Sequence, residues 1–254
     1  MKISVVTVCY NSESTIVDCV KSVASQTWSD VEHIVIDGGS TDGTLSVVAE
    51  YSHSNTIVIS EPDEGMYDAM NKGLELSSGE YVAFLNSDDL YAGVHVLELV
   101  AKCAKRNPSD CLLGDVLFFK NNPSNLTGRK YSCRGFAAWW LKIGVMPPHP
   151  GLFVRREVLL KANGFDLGYK IAADFDLAAR LFLSHKATWG VLDETVALFR
   201  SGGISTQRGS GRIITSEAAE SLSKLSVPFS RLLVLLKYPF KLHQFLPVIS
   251  FPGR

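Results

Sequence analysis

The acids Asp88 and Asp89 follow directly on an apolar run, Tyr81-Val82-Ala83-Phe84-Leu85, with Asn86-Ser87 between. Adjacent carboxylates repel each other, so the pair either stands in solvent at a turn, where Asp is common, or shares a cation. Two acids at a strand end suit a hard divalent ion such as Mg²⁺ or Mn²⁺. Such an ion takes few protein oxygens and leaves room for a phosphate-bearing substrate. A second acidic constellation, Asp37-Gly38-Gly39-Ser40-Thr41-Asp42-Gly43-Thr44, closes another apolar run. Its glycines let the backbone approach a ligand, and Asp37 can hydrogen-bond ribose hydroxyls or a base edge. Asp42 reads as the acid near an ordinary helix start. The stretch is not GxGxxG and follows the second apolar run, so a dinucleotide-binding fold matches poorly. A third constellation, Ile171-Ala172-Ala173-Asp174-Phe175-Asp176, places two acids two residues apart at a helix start, where they cannot share a face.

Other residues carry softer signals. His149, wedged in Pro147-Pro148-His149-Pro150, is either a sugar contact or a histidine that positions its loop. Trp139 and Trp140 either stack on a sugar face or divide between core and surface. Arg200 precedes Ser201-Gly202-Gly203, which reads equally as a mobile lid over a ligand or a plain turn.

The elements that must position these residues alternate between two periods. Ile3–Cys9, Val31–Ile36, Thr56–Ile59 and Tyr81–Leu85 are short apolar runs without polar alternation. Between them lie helical patterns: Ile16, Val20 and Val23; Leu45, Val48 and Ala49; and Met66–Leu76. Such alternation predicts an α/β fold with a mostly parallel sheet covered by helices on both faces. In these sheets ligands bind beyond the carboxyl ends of the strands, where Thr7, Asn11, Asp37, Asp88 and Asp89 all fall. Residues 119–150 read as an inserted, loop-rich segment. A strand over Leu152–Arg155, a helix with Leu177, Leu181 and Phe182 on one face, and a strand over Ala187–Leu192 follow.

Bulk properties exclude several classes. The 254 residues are 46% hydrophobic and 20% charged, which suits a globular chain with a sizeable core. A net charge of −1 offers no electrostatic footprint for nucleic acid. Five cysteines without a CxxC pair predict free thiols in a reducing cytoplasm. The N-terminus shows no signal-peptide pattern, and no stretch approaches the ~20 apolar residues of a membrane span. Near the C-terminus the character changes. Phe229, Leu232, Leu233, Leu236 and Phe240 form a helical stripe among Lys224, Arg231, Lys237 and Lys241, interrupted by Pro239. The stripe either lies on an anionic membrane surface or packs on the domain.

Four motifs, in order, carry a resemblance. They are Val5-Val6-Thr7-Val8-Cys9-Tyr10-Asn11, the Asp37–Thr44 stretch, Glu61-Pro62-Asp63-Glu64-Gly65-Met66-Tyr67-Asp68-Ala69-Met70-Asn71-Lys72-Gly73, and Asn86-Ser87-Asp88-Asp89. Together they resemble the family 2 glycosyltransferases with the GT-A fold. The resemblance implies that Thr7 and Asn11 line a nucleotide pocket, Asp37 holds ribose or base, Asp63 faces the base and Lys72 lies near the diphosphate. Asp88 and Asp89 would be the DxD element, with Asp89 as the contact to Mg²⁺ or Mn²⁺. Asp174 falls at the position of the catalytic base, although Ala173 stands where the family often has a second acid. Arg200 would sit over the diphosphate, and His149 and Trp140 would touch the acceptor. On this reading residues 1–118 bind the nucleotide sugar, 119–226 carry the acceptor site and base, and 227–254 form a basic amphipathic tail.

The implied reaction is inverting, metal-dependent transfer of one sugar from a nucleotide-diphosphate sugar to a hydroxyl. The acceptor would be a lipid-linked saccharide of cell-surface polysaccharide synthesis, met by a cytoplasmic protein with peripheral contact to the inner membrane face. The Gln-x-x-Arg-Trp motif of processive synthases is missing, so single addition is expected. Two rivals stand beside this reading. One is a silent nucleotide-sugar-binding scaffold, which has no need of both the acid pair and Asp174. The other is a sugar-nucleotide pyrophosphorylase, which would want a basic Gly-rich loop where Cys9-Tyr10-Asn11-Ser12-Glu13 stands.

Overall fold

The computed structural model describes residues 1–203 and 209–227. The first four strands are β1 (Ile3–Cys9), β2 (Val31–Asp37), β3 (Thr56–Ser60) and β4 (Tyr81–Phe84), separated by α1 (Ile16–Ala24), α2 (Thr44–Tyr51) and α3 (Met66–Leu76). Strand β5 (Leu90–Tyr91), helix α4 (Val96–Arg106) and the hairpin β6 (Cys111–Lys120)–β7 (Asn122–Tyr131) follow. The chain continues through β8 (Leu152–Arg155), α5 (Arg156–Lys161), α6 (Ala173–Ala179), β9 (Trp189–Arg200) and α7 (Ser210–Lys224).

One mixed sheet runs in the order β3-β2-β1-β4-β8-β6-β9-β5, with β7 paired to β6. Strands β1 to β4 are mutually parallel. Strand β8 joins β4 and β6 antiparallel, whereas β6 and β9 are parallel. The register aligns Cys9 with Asp37 and Asp37 with Ser60, so three strands end on one rim.

Every residue of β1 and β4 is buried, which explains their apolar runs: helices cover both faces. On one face α1 and α4 contribute Cys19, Val23, Leu97 and Val100 to a core with Ile3, Val5 and Tyr81. On the other, Met70, Phe175, Leu177 and Leu222 from α3, α6 and α7 pack on Val6, Val8 and Phe84. Burying each large aliphatic side chain contributes about 1.5–3 kcal/mol. Helix α3 lies tight on β1 because a Cβ at Gly73 would collide with Val6. That close approach sets the first turn of α3 over the strand ends.

The segment 119–150 is more ordered than its composition suggests. Residues 122–131 form an edge strand, and Ala138–Ile143 and His149–Gly151 are 3-10 turns. Strand β7 is mostly exposed, so its polar side chains need no alternation. Asp115, buried, pins it by accepting from Lys130 (2.7 Å) and the Cys133 N–H (2.7 Å). The last strand also runs longer than Ala187–Leu192 suggests, continuing through the exposed Asp193 and Glu194 to Arg200. All five cysteines are free. Among the described residues no helix is long and apolar enough to cross a membrane. The C-terminal stripe from Phe229 onward lies outside the described residues.

Candidate active site

A cavity of about 720 Å³ opens beyond the carboxyl ends of β1 and β4. Its walls come from Cys9–Asn11, Asn86–Asp88, the start of α3, His149, Asp174 and Arg200–Gly203. Chain segments nearly two hundred residues apart thus meet at one rim of the sheet.

Three acids reach the wall: Asp63, Asp88 and Asp174. The Asp63 carboxylate accepts the Gly65 N–H at 2.8 Å, closing the turn into α3. It also fills the space beside Gly38, where a Cβ would stand 2.5 Å from its Oδ2. The glycine that read as room for a ligand is therefore room for Asp63. Asn11, at φ 46°, is exposed at the mouth and accepts the Thr41 N–H at 2.9 Å, tying the end of β1 to the loop after β2. That left-handed conformation suits Asn better than most residues.

Asp88 and Asp89 divide between wall and interior. Asp88 faces the cavity. Asp89 is buried behind it and accepts the Arg200 backbone N–H at 3.0 Å, while its Oδ2 has no partner. Of the two, Asp88 lines the cavity and Asp89, expected to be the metal contact, does not. Burial pushes the Asp88 carboxyl above the usual range, opposed by Arg200. Burial, with the charge of Asp88 added, pushes Asp89 well above it.

Arg200 is the cation held against this pair. Its guanidinium donates to the Asp88 carbonyl (3.2 Å) and the Asn121 carbonyl (2.7 Å), pairs with Asp18 (3.4 Å) and lies over the Phe119 ring at 4.7 Å. Such support fixes a planar guanidinium at the cavity wall.

Across the cavity, Asp174 stands in the first turn of α6, partly buried, its Oδ1 accepting the Phe175 N–H at 2.7 Å. Burial raises its carboxyl to about 6, with the charge of Glu217 adding to the effect and the Phe175 N–H opposing it. Asp176 turns the other way, as the two-residue spacing requires. It pairs with Arg180 (2.7 Å) and accepts from Ser221 (2.7 Å) inside the protein. One acid lines the cavity and the other is held inside the protein.

His149 lines the cavity, stacked on Phe84 at 5.8 Å and edge-on to Phe165 at 5.9 Å. Burial lowers it to about 4, so the ring is neutral. Its Nε2 is buried without a partner.

Besides Asp89, four expected site residues do not reach the cavity. Thr7 alternates with Val8 along β1 and so points to the α1 face, where it is fully buried against His33 (3.0 Å) and Cys19 (3.6 Å). Asp37 is also fully buried. It accepts from Ser40 N–H (2.9 Å), Ser40 Oγ (2.5 Å) and Ser60 Oγ (2.7 Å), so it pegs the Gly38-Gly39 turn rather than facing a ligand. Burial opposes its charge, but these hydrogen bonds prevail and hold the carboxyl below its usual range. Lys72 pairs with Glu61 (2.9 Å) and Asp68 (3.3 Å) and donates to the Pro62 carbonyl (3.2 Å), bracing the loop that carries Asp63. Trp140 packs edge-on to Phe136 in an aromatic cluster with Phe182 and Trp189.

Two residues escaped the sequence reading. Tyr10, 62% exposed at the mouth, presents a ring face beside Asn11. Its place between the apolar end of β1 and a turn was the available signal. Glu217 of α7 accepts the backbone N–H groups of Lys170, Ile171 and Ala172, and nothing in its own surroundings in sequence marks it.

Among the described residues, no three His, Cys, Asp or Glu side chains converge as a ready-made metal cage. The acids present nonetheless fit a divalent ion that takes one or two protein carboxylates and completes its shell with phosphate and water. Asp88 at the wall, the unpartnered Asp89 Oδ2 behind it, and two carboxyls pushed upward mainly by burial describe a pair whose charge Arg200 only partly offsets.

A parallel sheet with a ligand cavity at its strand ends, extended by antiparallel strands and rimmed by acids, defines an α/β enzyme of GT-A type. The sequence model described as Glycosyl transferase family 2 matches residues 4–161, more than half of the chain. An uncharacterized glycosyltransferase of Mycobacterium tuberculosis is 33% identical over 184 residues, covering 71% of this chain and 69% of its own. A PGL/p-HBAD biosynthesis glycosyltransferase of the same species is 29% identical over 200 residues, covering 74% and 72%. Among solved structures, residues 1–349 of S. aureus TarS in complex with UDP-GlcNAc match with a TM-score of 0.70 at 23% identity, over 97% of this chain and 72% of that one. The mannosyltransferase PcManGT from Pyrobaculum calidifontis, in complex with GDP-Man and Mn²⁺, matches with a TM-score of 0.62 at 18% identity, over 96% and 72%. The chain belongs to glycosyl transferase family 2 and has the GT-A fold. It is a nucleotide-sugar-dependent glycosyltransferase.

Proposed function

We propose that the protein transfers a single sugar, with inversion and with a divalent cation, from a nucleotide-diphosphate sugar to an acceptor hydroxyl. The observation that carries this reading is the meeting of Asp88, in the turn between β4 and β5, and Asp174, at the start of α6, across one cavity. Asn11, Asp63 and the exposed Tyr10 form the mouth, where a base can stack on the ring and a carboxylate can accept from its edge. Asp88 and Arg200 take the diphosphate end. A bound Mg²⁺ or Mn²⁺ would be held by Asp88 and the diphosphate and would neutralise the charge that grows as the glycosidic bond breaks.

Asp174 does the proton work. Raised to about 6, its carboxyl is ionised near neutral pH yet more basic than an ordinary Asp. That is the compromise a general base needs. As the acceptor oxygen attacks the anomeric carbon, its proton passes to Asp174 and the bond to the diphosphate breaks on the opposite face. A single direct displacement of this kind inverts the anomeric configuration. His149, neutral and with an unpartnered ring nitrogen beside the cavity, is suited to a hydroxyl of donor or acceptor sugar.

Two features support a lipid-linked acceptor in surface-glycan synthesis: the relative named for PGL/p-HBAD biosynthesis and the basic, apolar C-terminal sequence. The second also supports peripheral contact of a cytoplasmic protein with an anionic membrane. The deciding experiment is a panel of nucleotide sugars with Mg²⁺, Mn²⁺ or chelator, read by release of nucleoside diphosphate and by the anomeric signals of the product. Metal-stimulated release with an inverted product is expected. Full activity in chelator, or a retained configuration, overturns the reading.

A further inference from the structure

Helix α7 docks on the segment that delivers Asp174. The Glu217 carboxylate accepts three consecutive backbone N–H groups, from Lys170 (2.9 Å), Ile171 (3.0 Å) and Ala172 (2.9 Å). One turn further, Ser221 donates to Asp176, and Lys224 pairs with Asp166 (3.5 Å) while lying over the Tyr169 ring at 4.5 Å. These contacts join two elements more than forty residues apart and fix the backbone leading into α6.

Unclaimed N–H groups at a helix start attract an anion. Helix α6 begins at Ala173, so the carboxylate nearest in sequence to those donors is that of Asp174. With Glu217 occupying the amides of 170–172, Asp174 receives the Phe175 N–H and keeps a side chain that lines the cavity. We propose that Glu217 is a positioning residue for the base: it claims the donors before α6 and so holds the Asp174 carboxylate out toward the acceptor hydroxyl. This rests on the reading of Asp174 as the base.

Charge acts in the same direction. Other titratable side chains felt by Asp174 are Tyr67 of α3 and Tyr131 of β7, both pushed above the ordinary phenol range mainly by burial and therefore neutral. Lys170 lines the cavity from the loop before α6. Glu217 is the anion contributed by α7, and its charge disfavours ionisation of Asp174. The carboxylate that Ala173 does not supply thus comes from a different helix.

The test is a pH profile of kcat and donor KM for Glu217→Gln and Glu217→Asp, with melting temperatures measured alongside. Gln keeps an acceptor oxygen but no charge, so the acid limb should move to lower pH. A move of about 0.3 pH unit raises the rate at pH 5, relative to the plateau, about twofold. Plateau kcat should fall about tenfold in both variants, the scale of a misplaced catalytic group, with donor KM within about twofold. Asp keeps the charge but loses reach, so its acid limb should stay in place while its plateau falls. An acid limb unchanged in the Gln variant, or an unreduced plateau in either variant, overturns the proposal. If the Gln variant does not fold, the Asp variant decides: an unreduced plateau or a displaced limb refutes the inference. Asp174→Asn run in parallel separates the two readings. Transfer surviving that change refutes the base itself, whereas its loss beside unaltered Glu217 variants refutes only the positioning role.

Discussion

Replacing Asp174 by Asn should abolish transfer and yet make the protein harder to unfold, and it should do so only toward neutral pH. Burial, helped by the charge of Glu217, raises this carboxyl from 3.8 to about 6 in the folded protein. The native state therefore holds the proton more tightly than the unfolded chain, and the ionised form opposes folding. The penalty is absent below the unfolded value, grows as pH rises between the two values and is complete above about 6. It amounts to about 3 kcal/mol at pH 7.5 and about 0.5 kcal/mol at pH 4. Relaxation of a partly exposed side chain in the variant leaves about 1–3 kcal/mol at the higher pH. Asn keeps an oxygen for the Phe175 N–H and carries no charge, so nothing else in the first turn of α6 is lost.

For a chain of this size each kcal/mol moves the melting temperature by about 2–4 °C, so a gain of about 2–12 °C is expected at pH 7.5 and about 1–2 °C at most at pH 4. Transfer should fall by about 10²–10⁴ for loss of a general base, while donor affinity by calorimetry stays near that of the wild type. Scanning calorimetry at both pH values and chromatographic detection of product read these outcomes. A variant that melts at or below the wild type at pH 7.5, or that gains as much at pH 4, refutes the account of a destabilised base. Retention of more than about a tenth of the activity refutes the role itself.

Three further outcomes are expected, two from the geometry and the third from the C-terminal sequence. Asp88→Asn should reduce metal-stimulated transfer by about a hundredfold or more, whereas Asp89→Asn, which keeps the acceptor for the Arg200 N–H, should stay within about tenfold; the reverse order in a metal titration would return the cation contact to Asp89. Asp176→Ala leaves the half-buried Arg180 short of its carboxylate and should cost about 2–4 kcal/mol, read as a lower denaturation midpoint with the acid limb of kcat unmoved; a shifted limb would make Asp176 part of the chemistry. Removing residues 228–254 should release the protein from anionic vesicles in a sedimentation assay, and unchanged binding would assign that sequence to packing.

The sequence showed the architecture best where burial is complete. Strands β1, β2 and β4 are covered on both faces, so their apolar runs, closed by polar steps, announce both the strands and the rim they end on, whereas β3, at the sheet edge, is mostly exposed. Exposure hid the rest. Strand β7 has water on much of its surface, and its Asn122-Pro123-Ser124-Asn125 start carries turn-like residues, so an edge strand passed for a loop. The site was legible in its motifs but not in its depth. Thr7 and Asp37 lie at the right strand ends, yet alternation along β1 turns Thr7 to the far face, and two serines and a backbone amide claim Asp37. Knowing which rim a residue occupies does not tell which layer it occupies.

The same limit explains the different burial of Asp88 and Asp89. Both lie in the turn between β4 and β5, and only one of them turns into the protein. Which one depends on a partner that sequence proximity cannot reveal, here the backbone N–H of Arg200, more than a hundred residues away. Glu217 is the stronger instance. Its three amide acceptances depend on the docking of α7 against the loop before α6, a product of packing among Leu222, Ala218, Leu177 and their neighbours. Motifs place the groups that meet substrate, because those groups cluster at strand ends. Other groups come from wherever the core happens to bring a helix, and α7, whose Glu217 is the proposed positioning residue for Asp174, lies beyond the region that the family model covers.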